Sequence, residues 1–246
     1  HLADLLSDKT AMVVVMHANN EIGNIEDIEK IGELAWQHGA KYLCDMVQSL
    51  GKLTTNLGAL PIDYAFASAH KFHALKGVGL LYHRNKLEPL FPGMSGTTRS
   101  GTPNTLGIMS MAYALDVLLK ELTSYQAQMQ QYKDYLVSTL SQRLESKIRY
   151  FGDLKISLSN TLNIGIQDIE GQSLLMQLDL KGIAVSYGAA CESGSMEASH
   201  VIRALVQNES IAKQSLRISL GRFNTQSELE TLVQNIVGVA HAAKPS

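Results

Sequence analysis

Apolar positions along this chain change rhythm several times, and each change predicts an element. Residues 11–16, Ala-Met-Val-Val-Val-Met, form an unbroken apolar run with the β-branched centre that a buried strand carries. From residue 25 the spacing lengthens: Ile25, Ile28, Ile31, Leu34 and Ala35 recur at helical intervals, and Gly39 supplies a stop. Lys-Tyr-Leu-Cys-Asp at 41–45 reads as a second short strand, residues 62–70 after Pro61 as a third, and residues 77–84 as a fourth. Strands alternating with helical or long connecting segments imply an α/β fold, a mostly parallel sheet with helices on its faces.

Residues 106–146 are poor in glycine beyond Gly107 and rich in helix formers, which predicts one or two long helices leaving the sheet. This stretch marks a boundary between a larger domain over residues 1–105 and a connecting helix with a small lobe over residues 106–246. In that lobe, predicted strands at 161–166, 183–186 and 215–221 alternate with predicted helices at 171–182, 196–206 and 225–243, which makes a small α+β unit.

Composition narrows the class. A chain of 246 residues, 45% of them hydrophobic, can bury one sizeable core, or one core with a smaller second lobe, so global disorder is excluded. With 21 basic and 23 acidic residues the formal charge is -2, which gives no field to attract nucleic acid or an anionic membrane. The cysteines, Cys44 and Cys191, are too few for a disulfide scaffold, and the expected location is a reducing compartment, the cytoplasm. The run at 11–16 is too short to cross a bilayer, and no charged-then-apolar signal segment opens the chain. Because the sequence opens on His-Leu-Ala-Asp-Leu-Leu with no methionine, it is expected to be part of something longer.

Polar residues gather where chemistry is expected. In an open parallel sheet, ligands bind beyond the carboxyl ends of the strands, where loops and helix N-termini supply donors. The first strand runs into Asn19, Asn20 and Glu21; the second ends at Asp45 and continues to Gln48 and Ser49; the third ends at Ser68, His70 and Lys71. Taken singly, Asp45 reads as a turn or cap residue, Lys71 as a solvated amine and His70 as a loop histidine. Together, a carboxylate on one strand and a lysine on the next are what a pyridoxal phosphate site requires. The lysine bonds the cofactor, and the carboxylate keeps the pyridine nitrogen protonated so that the ring acts as an electron sink. Ser68 and His70 would then hold the phosphate and Gln48 the phenolic oxygen. In Ser-Leu-Arg-Ile-Ser-Leu-Gly, alternation sets Arg217 opposite Leu216 and Ile218, a placement suited to clamping a substrate carboxylate or to pairing with a surface acid. Arg222 is the rival for the first role.

These motifs resemble the pyridoxal-phosphate-dependent cysteine desulfurases of the NifS and IscS type, within the class V aminotransferase group. HANNEIG resembles that family's H-x-N-N-E-[IT]-G, DMVQSLGK its D-[AG]-x-Q-[SA]-x-G-K, and SAHKFHALKGVGLLY its S-[GA]-H-K segment. RSGT, GAACESGSMEASHVIRAL and SLRISLGRFNT resemble the stretches carrying a phosphate-binding threonine, the catalytic cysteine and the substrate-binding arginine. The resemblance implies a fold-type I transferase with a small α+β C-terminal lobe and the cofactor pyridoxal 5'-phosphate. It gives Lys71 the covalent bond to that cofactor, Asp45 the pyridinium, Asn20 and Gln48 the ring, and Ser68 and His70 the phosphate. Thr102 would reach the phosphate of a partner subunit, which implies a homodimer. Arg217 and Asn20 would hold L-cysteine, and Cys191 would take its sulfur as a persulfide, leaving L-alanine. The small residues around Cys191 imply a long loop able to carry the sulfur to a protein acceptor, for iron-sulfur cluster assembly or for sulfuration of a thio-cofactor or tRNA.

Three departures accompany the match: Met46 replaces a small residue, FPGMSGTT replaces a Gly-rich segment before RSGT, and KFHALKG lacks a Gly-Pro pair after the lysine. The chain also starts far into the family's large domain, before which a phosphate loop and a ring-stacking histidine are expected. Two further readings stand beside the desulfurase: a truncated, non-catalytic relative serving in dimerisation or scaffold binding, and another class V enzyme such as a selenocysteine lyase.

Overall fold

The computed structural model describes residues 1–85, 101–188 and 197–242, and the chain divides into two compact units. The first comprises His1–Ala18 and Glu26–Leu122; the second comprises Asn19–Ile25 and Thr123–Ser246.

The first unit begins with a single-turn helix α1 (Leu2–Leu5) and is built on strands β1 (Met12–Met16), β2 (Lys41–Asp45), β3 (Tyr64–Ser68) and β4 (Gly79–His83), in that spatial order. β1, β2 and β3 run parallel and β4 antiparallel to β3. Between β1 and β2 lies helix α2 (Ile28–Gln37), whose Asp27 accepts the N–H of Lys30 at 3.1 Å as an N-cap. The helix stops where predicted: Gly39 sits at φ +70°, and Ala40 N–H returns to the Ala35 carbonyl. Alternation along the strands points Val13, Tyr42, Cys44, Ala65 and Ala67 to one face, where they form a core with Ile28 and Ala35 of α2 and Phe72. Leu118 joins this core from helix α3 (Thr105–Leu144), a single helix of 40 residues where sequence alone left one or two open. The opposite face carries Met12, Val14, Met16 and Leu81, all exposed.

The second unit takes over within α3, whose Met129, Leu136, Leu140 and Leu144 enter a second core. Its sheet orders β5 (Ile148–Tyr150), β6 (Thr161–Ile166) and β7 (Ser215–Ser219), all antiparallel. Helices α4 (Gly171–Asp179) and α7 (Gln226–Ala242) supply Leu174, Leu178, Leu232 and Ile236 to the same core. Two short helices, α5 (His200–Val206) and α6 (Glu209–Ala212), pack Ile202 and Ala212 beside Ile22 and Phe151 in a smaller cluster.

Two expectations need correction. Residues 183–186 are not a strand, because only Ser186 pairs, through a two-way backbone bridge with Arg217. The helix expected at 196–206 begins at His200, since Ser199 caps it by accepting the N–H groups of Val201 and Ile202. Strand β5 and helices α1 and α6 were not visible as patterns, each being four residues or fewer.

Candidate active site

In the first unit, the parallel strands β2 and β3 end side by side. Asp45 closes β2 opposite Phe66 of β3, and its carbonyl accepts the N–H of His17 at 2.8 Å. Its half-buried carboxylate accepts the N–H of Val47 through Oδ1 at 2.8 Å, so one oxygen fixes the turn after the strand. Gln48, in that turn, accepts from the Lys52 ammonium at 3.3 Å. His17 is buried, and burial pushes its imidazole below the ordinary histidine value, which favours the neutral ring.

Strand β3 ends at Ser68 and passes into a 3₁₀ turn, Ala69–Phe72, that closes on His73 at φ +71°. Ala69 and Phe72 are buried, and this anchoring leaves His70 and Lys71 facing solvent. Ser68 Oγ and His70 Nδ1 share a hydrogen bond of 2.8 Å. Lys71 makes no ion pair or hydrogen bond among the described residues, so its amine is available for chemistry. Asp45, Gln48, Ser68, His70 and Lys71 thus gather at one edge of one sheet. Thr102 lies in the same unit, exposed, just ahead of α3. Met46 fills core space with 2% of its surface exposed.

In the second unit, Arg217 on β7 pairs with Asn163 on β6, and its Nη1 donates to the Asn20 carbonyl at 2.8 Å. Asn20 belongs to the Asn19–Ile25 segment, in which the Asn19 side chain accepts the N–H groups of Glu21 and Ile22. Arg222, the rival, sits half-buried in the turn beyond β7. Cys191 lies outside the described residues. Cys44 is fully buried, and burial pushes its thiol up to about 11, so it stays protonated near neutral pH.

Three polar residues here escaped the sequence reading. Asn163 and Ser215 are almost fully buried and hydrogen-bonded to each other; Lys133, 2% exposed, donates to Ser157 Oγ at 2.7 Å and the Leu158 carbonyl at 2.9 Å. The signal for Lys133 was its register: it falls on the same helical stripe as Met129, Leu136 and Leu140. Among the described residues no group of three or more histidine, cysteine or carboxylate side chains is placed to hold a metal, and no helix is long and apolar enough to cross a membrane.

Residues 1–232 match the family described as aminotransferase class-V. The chain is 36% identical over 232 residues to the cysteine desulfurase IscS of Dictyoglomus turgidum, covering 93% of this chain and 59% of that one. It is 38% identical over 242 residues to the cysteine desulfurase IscS of Klebsiella pneumoniae, with 95% and 59% covered. A solved NifS-like protein superposes with a TM-score of 0.86 at 32% identity, over 98% of this chain and 64% of its own. The NifS-like protein from Rickettsia africae gives 0.85 at 27% identity, over 98% and 66%. The chain therefore spans about three fifths of the length of the curated relatives it matches.

Proposed function

The chain belongs to the class V aminotransferase family, and from that premise we propose that it serves as a pyridoxal 5'-phosphate-dependent cysteine desulfurase, taking sulfur from L-cysteine and releasing L-alanine. One observation carries the reading: Asp45 and Lys71 stand at the carboxyl edge of two adjacent parallel strands, with Ser68 and His70 between them in sequence. That donor set fits the cofactor, since it offers an anion for a pyridinium, an uncommitted amine, and a hydroxyl and imidazole for a phosphate. Bound there, pyridoxal phosphate would supply an electron sink that weakens bonds at the substrate's α-carbon.

The chain's own residues divide the remaining work. Asp45 keeps Oδ1 on the Val47 N–H, which holds the carboxylate in a fixed orientation. Lys71 would provide the amine that holds the cofactor, and the same amine would move a proton to or from the substrate carbon. Arg217 binds the substrate carboxylate, with Nη1 steadied by the Asn20 carbonyl. Cys191 would attack the substrate sulfur as a thiolate; the sulfur–sulfur bond forms as the carbon–sulfur bond breaks, the electron pair stays with the carbon and a proton from Lys71 completes alanine, and the outer sulfur then passes to an acceptor protein thiol, which restores the Cys191 thiol. Thr102, exposed ahead of α3, serves the phosphate of a second copy in a homodimer. The expected setting is the reducing cytoplasm, where Cys191 stays a thiol.

Visible absorbance together with intact mass tests the proposal. The purified protein should be yellow, bleach with borohydride, and lose the colour in Lys71→Ala. Cys191→Ala should keep the colour and abolish alanine formation from cysteine. A colourless protein of the mass of these 246 residues overturns the reading and leaves the dimerisation or scaffold-binding module in its place.

A further inference from the structure

Strands β6 and β7 have one apolar and one polar face. Leu162, Ile164, Leu216 and Ile218 enter the core of the second unit, and alternation turns Thr161, Asn163, Ser215 and Arg217 the other way. Over that polar side lies the Asn19–Ile25 segment. Asn163 Nδ2 donates to the Glu21 carbonyl at 3.2 Å, and Arg217 Nη1 donates to the neighbouring Asn20 carbonyl. Gly23, at φ +76°, comes so close to Thr161 that an added Cβ would stand 3.0 Å from the Thr161 Cβ. Its carbonyl accepts the N–H of Leu158 at 2.8 Å.

The arrangement is directional. Ser215 Oγ donates to Asn163 Oδ1 at 3.0 Å, which makes that atom the acceptor and turns the amide N–H₂ towards Glu21. Asn163, Ser215 and Glu21 are each 1% exposed, so no water stands by to replace a lost partner, and an unpaired Glu21 carbonyl would be strongly disfavoured. Nothing in the proposed chemistry requires Asn163 to touch the substrate. Its effect reaches the substrate through two adjacent carbonyls: fixing Glu21 fixes Asn20, and Asn20 holds one N–H of the planar guanidinium. A guanidinium held this way loses less freedom when it grips a carboxylate.

We infer that Asn163, oriented by Ser215, is a positioning residue that locks the Asn19–Ile25 segment onto β6 and β7 and thereby sets the affinity of Arg217 for the substrate carboxylate. The inference rests on the desulfurase reading for its substrate and on the hydrogen bonds alone for the clamp. Asn163→Asp keeps the acceptor for Ser215 and removes the N–H for Glu21, whereas Ser215→Ala removes only the orienting hydroxyl.

Two measurements on the purified protein separate the parts. Amide hydrogen exchange reads the clamp whatever the enzyme does: residues 19–25 should exchange faster in Asn163→Asp and Asn163→Ala, with α7 and β4 unchanged. Steady-state kinetics read the positioning: KM for L-cysteine should rise about tenfold with kcat within roughly twofold. Ser215→Ala should raise KM less, and should add nothing in the Asn163→Ala background. Unchanged exchange at residues 19–25 overturns the clamp. A fall in kcat and melting temperature with KM constant overturns the positioning role and leaves a packing residue. If the wild-type protein forms no alanine from cysteine, the desulfurase reading and the substrate role fall together, and exchange alone then decides whether the clamp stands.

Discussion

Cys44 and Lys133 are ionisable groups shut away from water, and in each burial disfavours the charged form. The Cys44 thiol, raised to about 11 by burial, is ionised in only about one molecule in ten thousand at pH 7. In native protein, Cys44 should therefore resist maleimide over hours, while an unfolded sample labels it in minutes; mass spectrometry of Cys191→Ala isolates that site. Lys133 is pushed down to about 8 by desolvation, with Asp134 opposing the shift. Folding thus weakens its hold on a proton, and the resulting penalty is full below pH 8 and relieved as pH rises towards the ordinary lysine value of 10.5. Relative to Lys133→Met, the wild-type protein should gain about 3 kcal/mol of stability across that window, read by denaturant melts at pH 7 and pH 10. No gain would mean that the ammonium is solvated on opening. Asp45 and Lys71 stand out as candidates in sequence because Asp45 ends a strand and Lys71 follows one by three residues, where polar residues interrupt an apolar run. Lys133 carries only its register on the core stripe of α3 as a signal, and Asn163 none: a single polar residue within an apolar run leaves its period unchanged, and only the partner across space shows its use.

At the level of elements, the long-period segments were the ones sequence could read. Helix α2 and strands β2 and β6 have core faces set by their own alternation, whereas residues 183–186 look equally strand-like yet pair only at Ser186, because extended backbone becomes a strand only where a neighbour accepts a full ladder. Helix α2 also shows how closely an element can depend on a missing side chain. Gly32 faces Pro61, and a Cβ there would press into the Pro61 carbonyl and stand 2.8 Å from its Cγ. Helix propensity favours alanine over glycine by roughly 1 kcal/mol, but the clash acts on backbone and a rigid ring. Gly32→Ala is therefore expected to destabilise the first unit by about 2–3 kcal/mol despite the better helix former, as measured by thermal denaturation. A neutral or stabilising result would show that α2 can slide away from Pro61.

Across the whole molecule, each unit has its own buried cluster, and the division between them falls within α3. The change in pattern after residue 105 leads the sequence to suggest a larger part and a smaller lobe, whereas the compact units meet at Leu122 and Thr123 within α3; that Asn19–Ile25 goes with the second unit has no signal in local pattern, since its partners lie far along the chain. The first unit's sheet leaves Val14 62% and Leu81 52% exposed on the face away from its core, with β1 at the edge of the four strands. Apolar surface beside an edge strand invites association. Val14→Glu should raise the concentration at which light scattering first appears and leave the melting temperature within about 2 °C, whereas an unchanged threshold would place the sticky surface elsewhere. The bond from Arg217 to Asn20 spans 197 positions, which has a consequence for the order of manufacture. A ribosome adding roughly 5–20 residues each second finishes Asn20 some ~10–40 s before Arg217 exists. The earliest-made ribbon of the second unit must wait, attached to strands of the first, until the last strand arrives to claim it.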